Sequence, residues 1–124
     1  MLIGANFTKA NLRGAVLQNA NLTGVELSRA DLTKANLQNA GLNDAFMTGT
    51  ILTNANLKGA NLTMTKLTGA SMSGVNLRYS IMSGTKLNGA SLTGADLTGA
   101  NLTNVDLTKT YLTGTIMPDG KVHS

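Results

Sequence analysis

Acid–base and metal chemistry have little to work with here: the 124 residues contain one His, six carboxylates and no Cys. His123 is the penultimate residue, and no second ligand or titratable partner accompanies it. A catalytic base or a metal ligand needs fixed neighbours, so His123 reads as a solvated tail residue. The carboxylates Glu26, Asp31, Asp44, Asp96, Asp106 and Asp119 mostly stand at positions where Asn is the commonest alternative. Glu26 and Asp31 are close in sequence, but Arg29 and Lys34 lie among them, which describes a mixed surface cluster better than an acid/base pair. Without Cys there are no disulfides, thiolate metal sites or thiol nucleophiles. The glycines recur at spacings of five or ten and form no phosphate-cradling motif. Asn-x-Thr matches such as Asn21-Leu22-Thr23 are by-products of the same spacing. The sequence therefore predicts no catalytic residue, no metal site and no cofactor, and a chain that is not an enzyme.

With 42% hydrophobic and 13% charged residues the chain is too apolar for disorder. No apolar run reaches the roughly 18 residues of a membrane helix. The opening stretch Met1–Phe7 has neither a basic region nor a long apolar run, so the expectation is a cytoplasmic protein without membrane contact.

The organising feature is a period of five. Positions 2, 7, 12 and onward to 117 are 24 sites filled by 19 Leu, Phe7, Met47, Met72, Met82 and Met117. Two places upstream of these, 23 sites hold 14 Ala and otherwise only Val, Thr and Ser80. Two places downstream, 12 of the 14 glycines fall in phase, and Asn or Asp takes six more sites. The unit is Ala-(Asn/Asp)-Leu-x-x, as in Ala95-Asp96-Leu97-Thr98-Gly99.

A helix would carry such a Leu column around every side, and a straight strand would flip it at each step, so the chain must bend once per unit. Ala and Leu are two apart and point the same way in an extended triplet, with the intervening residue pointing opposite. The last two residues make the corner. Gly or Asn in the second corner place supplies the positive φ of a type II turn, whereas Lys9, Arg29, Lys34, Met64, Tyr79 and Lys109 in that place predict type I-like corners. Repeated bending in one sense winds a β-solenoid, with Leu and Ala inside and successive coils paired as parallel strands.

This unit resembles that of the pentapeptide repeat proteins, cyanobacterial members above all, and the likeness runs through 23 complete units over residues 5–119. The resemblance implies an all-β fold, a right-handed quadrilateral parallel β-helix with 20 residues per coil. At four units per coil the chain makes about 5.75 coils, roughly 28 Å of rod at about 4.8 Å per coil. The expected division is one β-helix over 1–119 and a tail over 120–124. Met117-Pro118-Asp119-Gly120 resembles the endings of cyanobacterial members, and Pro118 with the Asp-Gly turn is expected to stop the coil. The N-terminal coil shows no such stop and is a candidate for an end-to-end homodimer contact.

Binding would then fall to the outward columns. With 20 residues per coil, Gln18, Gln38, Lys58, Arg78 and Thr98 stack on one face, and Glu26, Phe46, Lys66, Lys86 and Asp106 on a neighbouring one. Phe46, Ile51, Tyr79 and Ile81 break the polar rule, and with Lys58 and Arg78 they form the candidate protein-interaction surface, since Phe, Tyr and Arg are common anchors. The expected role is a non-enzymatic interaction module with a protein partner. Some family members mimic duplex DNA and bind type II topoisomerases, but a formal charge of +4 is the wrong sign for a polyanion mimic. The dispersed basic residues likewise make no specific nucleic-acid footprint. A third reading takes the outward ladder Thr33, Thr53, Ser73, Thr93, Thr113 as an ice- or surface-binding array.

Overall fold

The computed structural model describes residues 2–124. Each Ala-x-Leu triplet is extended, and up to the last coil its central residue pairs in parallel with the residue 20 places on. Four rows of such pairs run along the solenoid. The first face carries Asn6, Glu26, Phe46, Lys66 and Lys86; the second Asn11, Asp31, Ile51, Ser71, Ser91 and Tyr111. The third carries Val16, Asn36, Asn56, Asn76, Asp96 and Ile116, and the fourth Asn21, Gly41, Asn61, Ile81 and Asn101. The solenoid is the right-handed quadrilateral β-helix that the repeat implies.

The period of five works because one unit satisfies its backbone within its own corner and against its neighbours above and below. In the unit around Leu57, the Ala60 N–H closes the corner on the Leu57 carbonyl at 3.0 Å, the Leu57 N–H reaches Asn76 at 2.7 Å, and the Asn56 N–H reaches back to Ala35 at 2.9 Å. The Leu and Met side chains from Leu22 to Leu97 are fully buried, with Ala and Val filling the space between them. Leu2, Phe7, Leu12 and Leu17 in the first coil are only half-buried. Where Thr replaces Ala inside, its hydroxyl finds a carbonyl one coil up: Thr50 donates to Leu27, Thr65 to Leu42 and Thr85 to Leu62, each at 2.7 Å. This is the backbone partnership expected for buried hydroxyls. Ser80, in the same kind of position, has no partner for its Oγ.

Five of the corners differ from the sequence expectation. Lys9, Arg29, Lys34, Met64 and Tyr79 all have φ near +60°, so these corners keep the left-handed residue that Gly would supply. The reason is the next coil. A corner N–H must reach a carbonyl 19 residues on, as Tyr79 does to Thr98 at 2.9 Å, and that bond holds the residue in place against a steric cost of about 1–2 kcal/mol. Lys109 and Asp119 lie in the last coil, with no coil beyond them, and neither has positive φ. Asn104 and Gly114, which favour this conformation intrinsically, keep it there.

The ladder is also interrupted in the last coil. Among the described residues Lys86 forms no bridge with Asp106, and the Gly89 N–H bonds to Lys109 rather than to the residue before it. Farther on, the chain reverses at Pro118–Gly120, where the Gly120 N–H closes on the Met117 carbonyl at 2.8 Å. Val122 then pairs antiparallel with Ile116, and the His123 N–H donates to Thr115 at 2.8 Å. The backbone of the final residues is thus pinned against the last coil, while the His123 side chain is exposed.

Candidate functional site

The outer walls owe their flatness to a local device. The outward Asn or Asp accepts from the backbone N–H and hydroxyl of a Thr two residues on, as Asp31 does from Thr33 at 3.0 and 2.6 Å and Asn61 from Thr63 at 3.0 and 2.6 Å. Each such turn folds a polar side chain down onto its own corner. It also tunes the carboxylates. Asp31 is held below the ordinary carboxylate range by the Thr33 hydroxyl, then the Thr33 N–H, with Arg13 adding to them. For Asp96, partial burial pushes the other way, but hydrogen bonds from Thr98 and the nearby Arg78 outweigh it, and the net shift is downward. Asp106 is lowered by the Thr108 N–H and hydroxyl. Thr33, in the outward Thr/Ser ladder, therefore has its hydroxyl proton committed to its own turn.

Asp31 pairs with Arg13 at 3.2 Å, not with Arg29 or Lys34. Arg78 pairs with Asp96 at 3.3 Å. Both pairs join residues 18 apart, the coil length less the two residues between neighbouring outward positions. That spacing is visible in the sequence once the coil length is known.

The six candidate surface residues fall into two groups. Phe46 and Ile51, 40% and 38% exposed, flank the corner at Thr48–Gly49 between the first and second faces. Lys58, Arg78 and Tyr79 lie at the corner between the third and fourth faces rather than on a wall, and Ile81 lies on the fourth face. These two edges are diagonally opposite, so no single flat partner reaches both. The Arg78 guanidinium sits 5.7 Å from the Tyr79 ring centroid while bonded to Asp96, which leaves it largely occupied. The Tyr79 ring in turn lies across Gly99 in the next coil, where even a methyl group would collide with it. Phe46 has a partner absent from the sequence candidates: Lys66, one coil on, holds its Nζ 4.6 Å from the ring centroid. The 20-residue offset between Phe46 and Lys66 is the signal that could have found it.

No three His, Cys, Asp or Glu side chains among the described residues gather as metal ligands. The chemistry this surface offers is recognition by shape, charge and a few apolar anchors.

A family model described as "Pentapeptide repeats" matches residues 2–39, 30–69, 55–94 and 80–117. No curated protein matches the sequence. Among solved structures, the chain is similar to a pentapeptide repeat protein from the Arabidopsis thaliana thylakoid lumen: 26% identity over 82% of this chain and 71% of that one, TM-score 0.75. It is also similar to HetL, a pentapeptide repeat protein involved in heterocyst differentiation regulation in the cyanobacterium Nostoc, with 31% identity over 95% and 78% and a TM-score of 0.45. QnrB1, a plasmid-mediated fluoroquinolone resistance protein, shares the fold at 16% identity over 90% and 72%, TM-score 0.51.

Proposed function

The chain belongs to the pentapeptide repeat family, and from that premise we propose that it is a non-enzymatic interaction module whose rigid walls display a small number of side chains to a protein partner. One observation carries the reading: walls built largely of self-bonded Asn, Asp, Thr and Ser carry exposed apolar side chains in adjacent pairs at two edges, Phe46 with Ile51 and Tyr79 with Ile81, besides other exposed apolar residues such as Val16, Met64 and Tyr111. Exposed aromatic anchors on a preorganised backbone lower the ordering cost of binding. The net charge of +4 weighs against a mimic of duplex DNA, and the likeness to QnrB1 extends to the fold alone.

The test is affinity capture with the wild-type chain and two folded surface variants, Phe46→Ser/Ile51→Thr and Tyr79→Ser/Ile81→Thr. A specific partner held by wild type and lost by the first variant is the expected result. A partner lost only by the second variant keeps the module reading and moves it to the opposite edge. Capture by both variants equal to wild type would overturn the use of either edge. Light scattering on the same samples separates a foreign partner from self-association through the half-buried first coil.

A further inference from the structure

The charges left after pairing are unevenly placed. Arg13 and Arg78 are neutralised by Asp31 and Asp96. Of the remainder, Lys9, Arg29, Lys66, Lys86 and Lys109 lie on the first face or on the corner it shares with the second, against Glu26 and Asp106, while Asp44 stands at the other corner of that face, two residues before Phe46. The rest of the molecule holds Lys34, Lys58 and Lys121 against Asp119. Counting both corners, the first face therefore carries half of the formal charge, and its cations gather on the Phe46–Ile51 side. In the middle of that face, Phe46, Lys66 and Lys86 follow each other in successive coils about 4.8 Å apart. Among the described residues neither lysine has a carboxylate at ion-pair distance.

We propose that this strip, from Phe46 and Ile51 through Lys66 to Lys86, binds an acidic protein segment that lies along the solenoid axis. Its apolar side chain covers Phe46 and Ile51, and its carboxylates face Lys66 and Lys86. This rests on the interaction-module reading and names the face and the chemistry of its partner. The strip is about 10 Å long, the reach of three or four extended residues. Its two ends decide the class of partner. Glu26 lies one coil before Phe46 and Asp106 one coil beyond Lys86, so a nucleic acid, charged along its whole length, meets repulsion at both ends. A short segment with one apolar residue and two or three carboxylates fits between those ends.

The experiment titrates the full chain into a fluorescent synthetic peptide of sequence Leu-Gly-Glu-Glu at low salt. Four companions are run beside it: the same peptide with Gln for Glu, a thymidine oligonucleotide of equal charge, and two charge-matched protein variants. Lys66→Gln/Lys86→Gln removes the strip, and Lys34→Gln/Lys58→Gln removes the same charge elsewhere. Unchanged thermal unfolding shows that both variants fold. The expected result is saturable binding weakened roughly tenfold by the strip variant, little changed by the control, and reduced by salt. The proposal is overturned by any of four outcomes: no binding of the acidic peptide, equal loss in both variants, equal binding of the Gln peptide, or tighter binding of the oligonucleotide. If the strip fails but capture through the Tyr79–Ile81 edge survives, only this assignment falls. If neither edge variant affects capture, the use of either edge falls with it.

Discussion

Residues 22–100 and the last coil are written in the same five-letter pattern, yet they behave differently. In the first region the Leu and Met column is fully buried and the corners take one conformation whatever residue occupies them. In the second, Leu102 and Leu107 are half-buried, the pairing below Lys86 lapses, and Lys109 leaves the left-handed conformation. Only the side of the last coil met by Val122 and His123 keeps buried positions, at Leu112 and Thr115. The difference teaches that the repeat supplies side chains of the right kind, but a neighbour on both sides makes them a core. A coil's contribution is a property of the stack, as in any linear array of nearest-neighbour units.

The sharpest way to break this contrast is to delete the same atoms in both regions. Leu62→Ala should cost about 2–5 kcal/mol, because the surrounding Leu and Ala cannot close a fully buried gap. Leu107→Ala should cost about 1 kcal/mol or less, since its site already opens to solvent. Chemical denaturation of both variants measures the difference, and equal losses would show that the last coil is as tightly built as the middle.

A smaller difference is expected from the interior hydroxyls. Thr65 donates to Leu42 at 2.7 Å in full burial, whereas Thr110 reaches Leu87 at 3.2 Å while half-buried. Thr65→Val should therefore cost about 0.5–1.5 kcal/mol and Thr110→Val a few tenths at most. Thermal melts would sharpen the comparison, and a larger loss at Thr110 would reverse it.

The smallest effect concerns acid. Asp31 and Asp96 have lowered pKa values in the folded state, so the stability they add is fully present above the ordinary carboxylate range and is lost as pH falls through it and below. Asp31→Asn/Asp96→Asn should flatten the acid side of a melting-temperature profile. Asp106→Asn, which removes a carboxylate bonded to Thr108 but to no Arg, should flatten it less. A profile unchanged by the double substitution would show that these turns form equally well without charge.

The sequence made the interior legible because Leu, Ala and Gly each answer to a single requirement of the bend. Thr50, Thr65 and Thr85 were legible too, since their buried hydroxyls have a carbonyl within reach, but the same reasoning fails at Ser80, whose buried hydroxyl finds no partner. The corners at Met64 and Tyr79 were not. Local preference argues against positive φ for both, and what overrides it is a hydrogen bond to a carbonyl 19 residues away, a tertiary fact no local rule contains. Lys109 shows the same logic in reverse. The surface was partly legible: the columns could be drawn from a 20-residue coil, and they placed Phe46 and Lys66 on one face. That Lys66 lies over Phe46, and that Arg78 spends its charge on Asp96, depend on rotamers rather than on register.

Because the corner recurs every fifth residue and the wall every twentieth, the fold treats length changes as rotations. Gain or loss of one unit leaves every downstream Leu inside, but turns all later outward residues by a quarter of a revolution, moving Lys66 and Lys86 away from the wall that carries Phe46. Gain of four units lengthens the rod and returns each wall to its original address. A surface on such a solenoid can thus be reassigned wholesale without altering the core, and the spacing between Phe46 and its lysines is what keeps them on one wall.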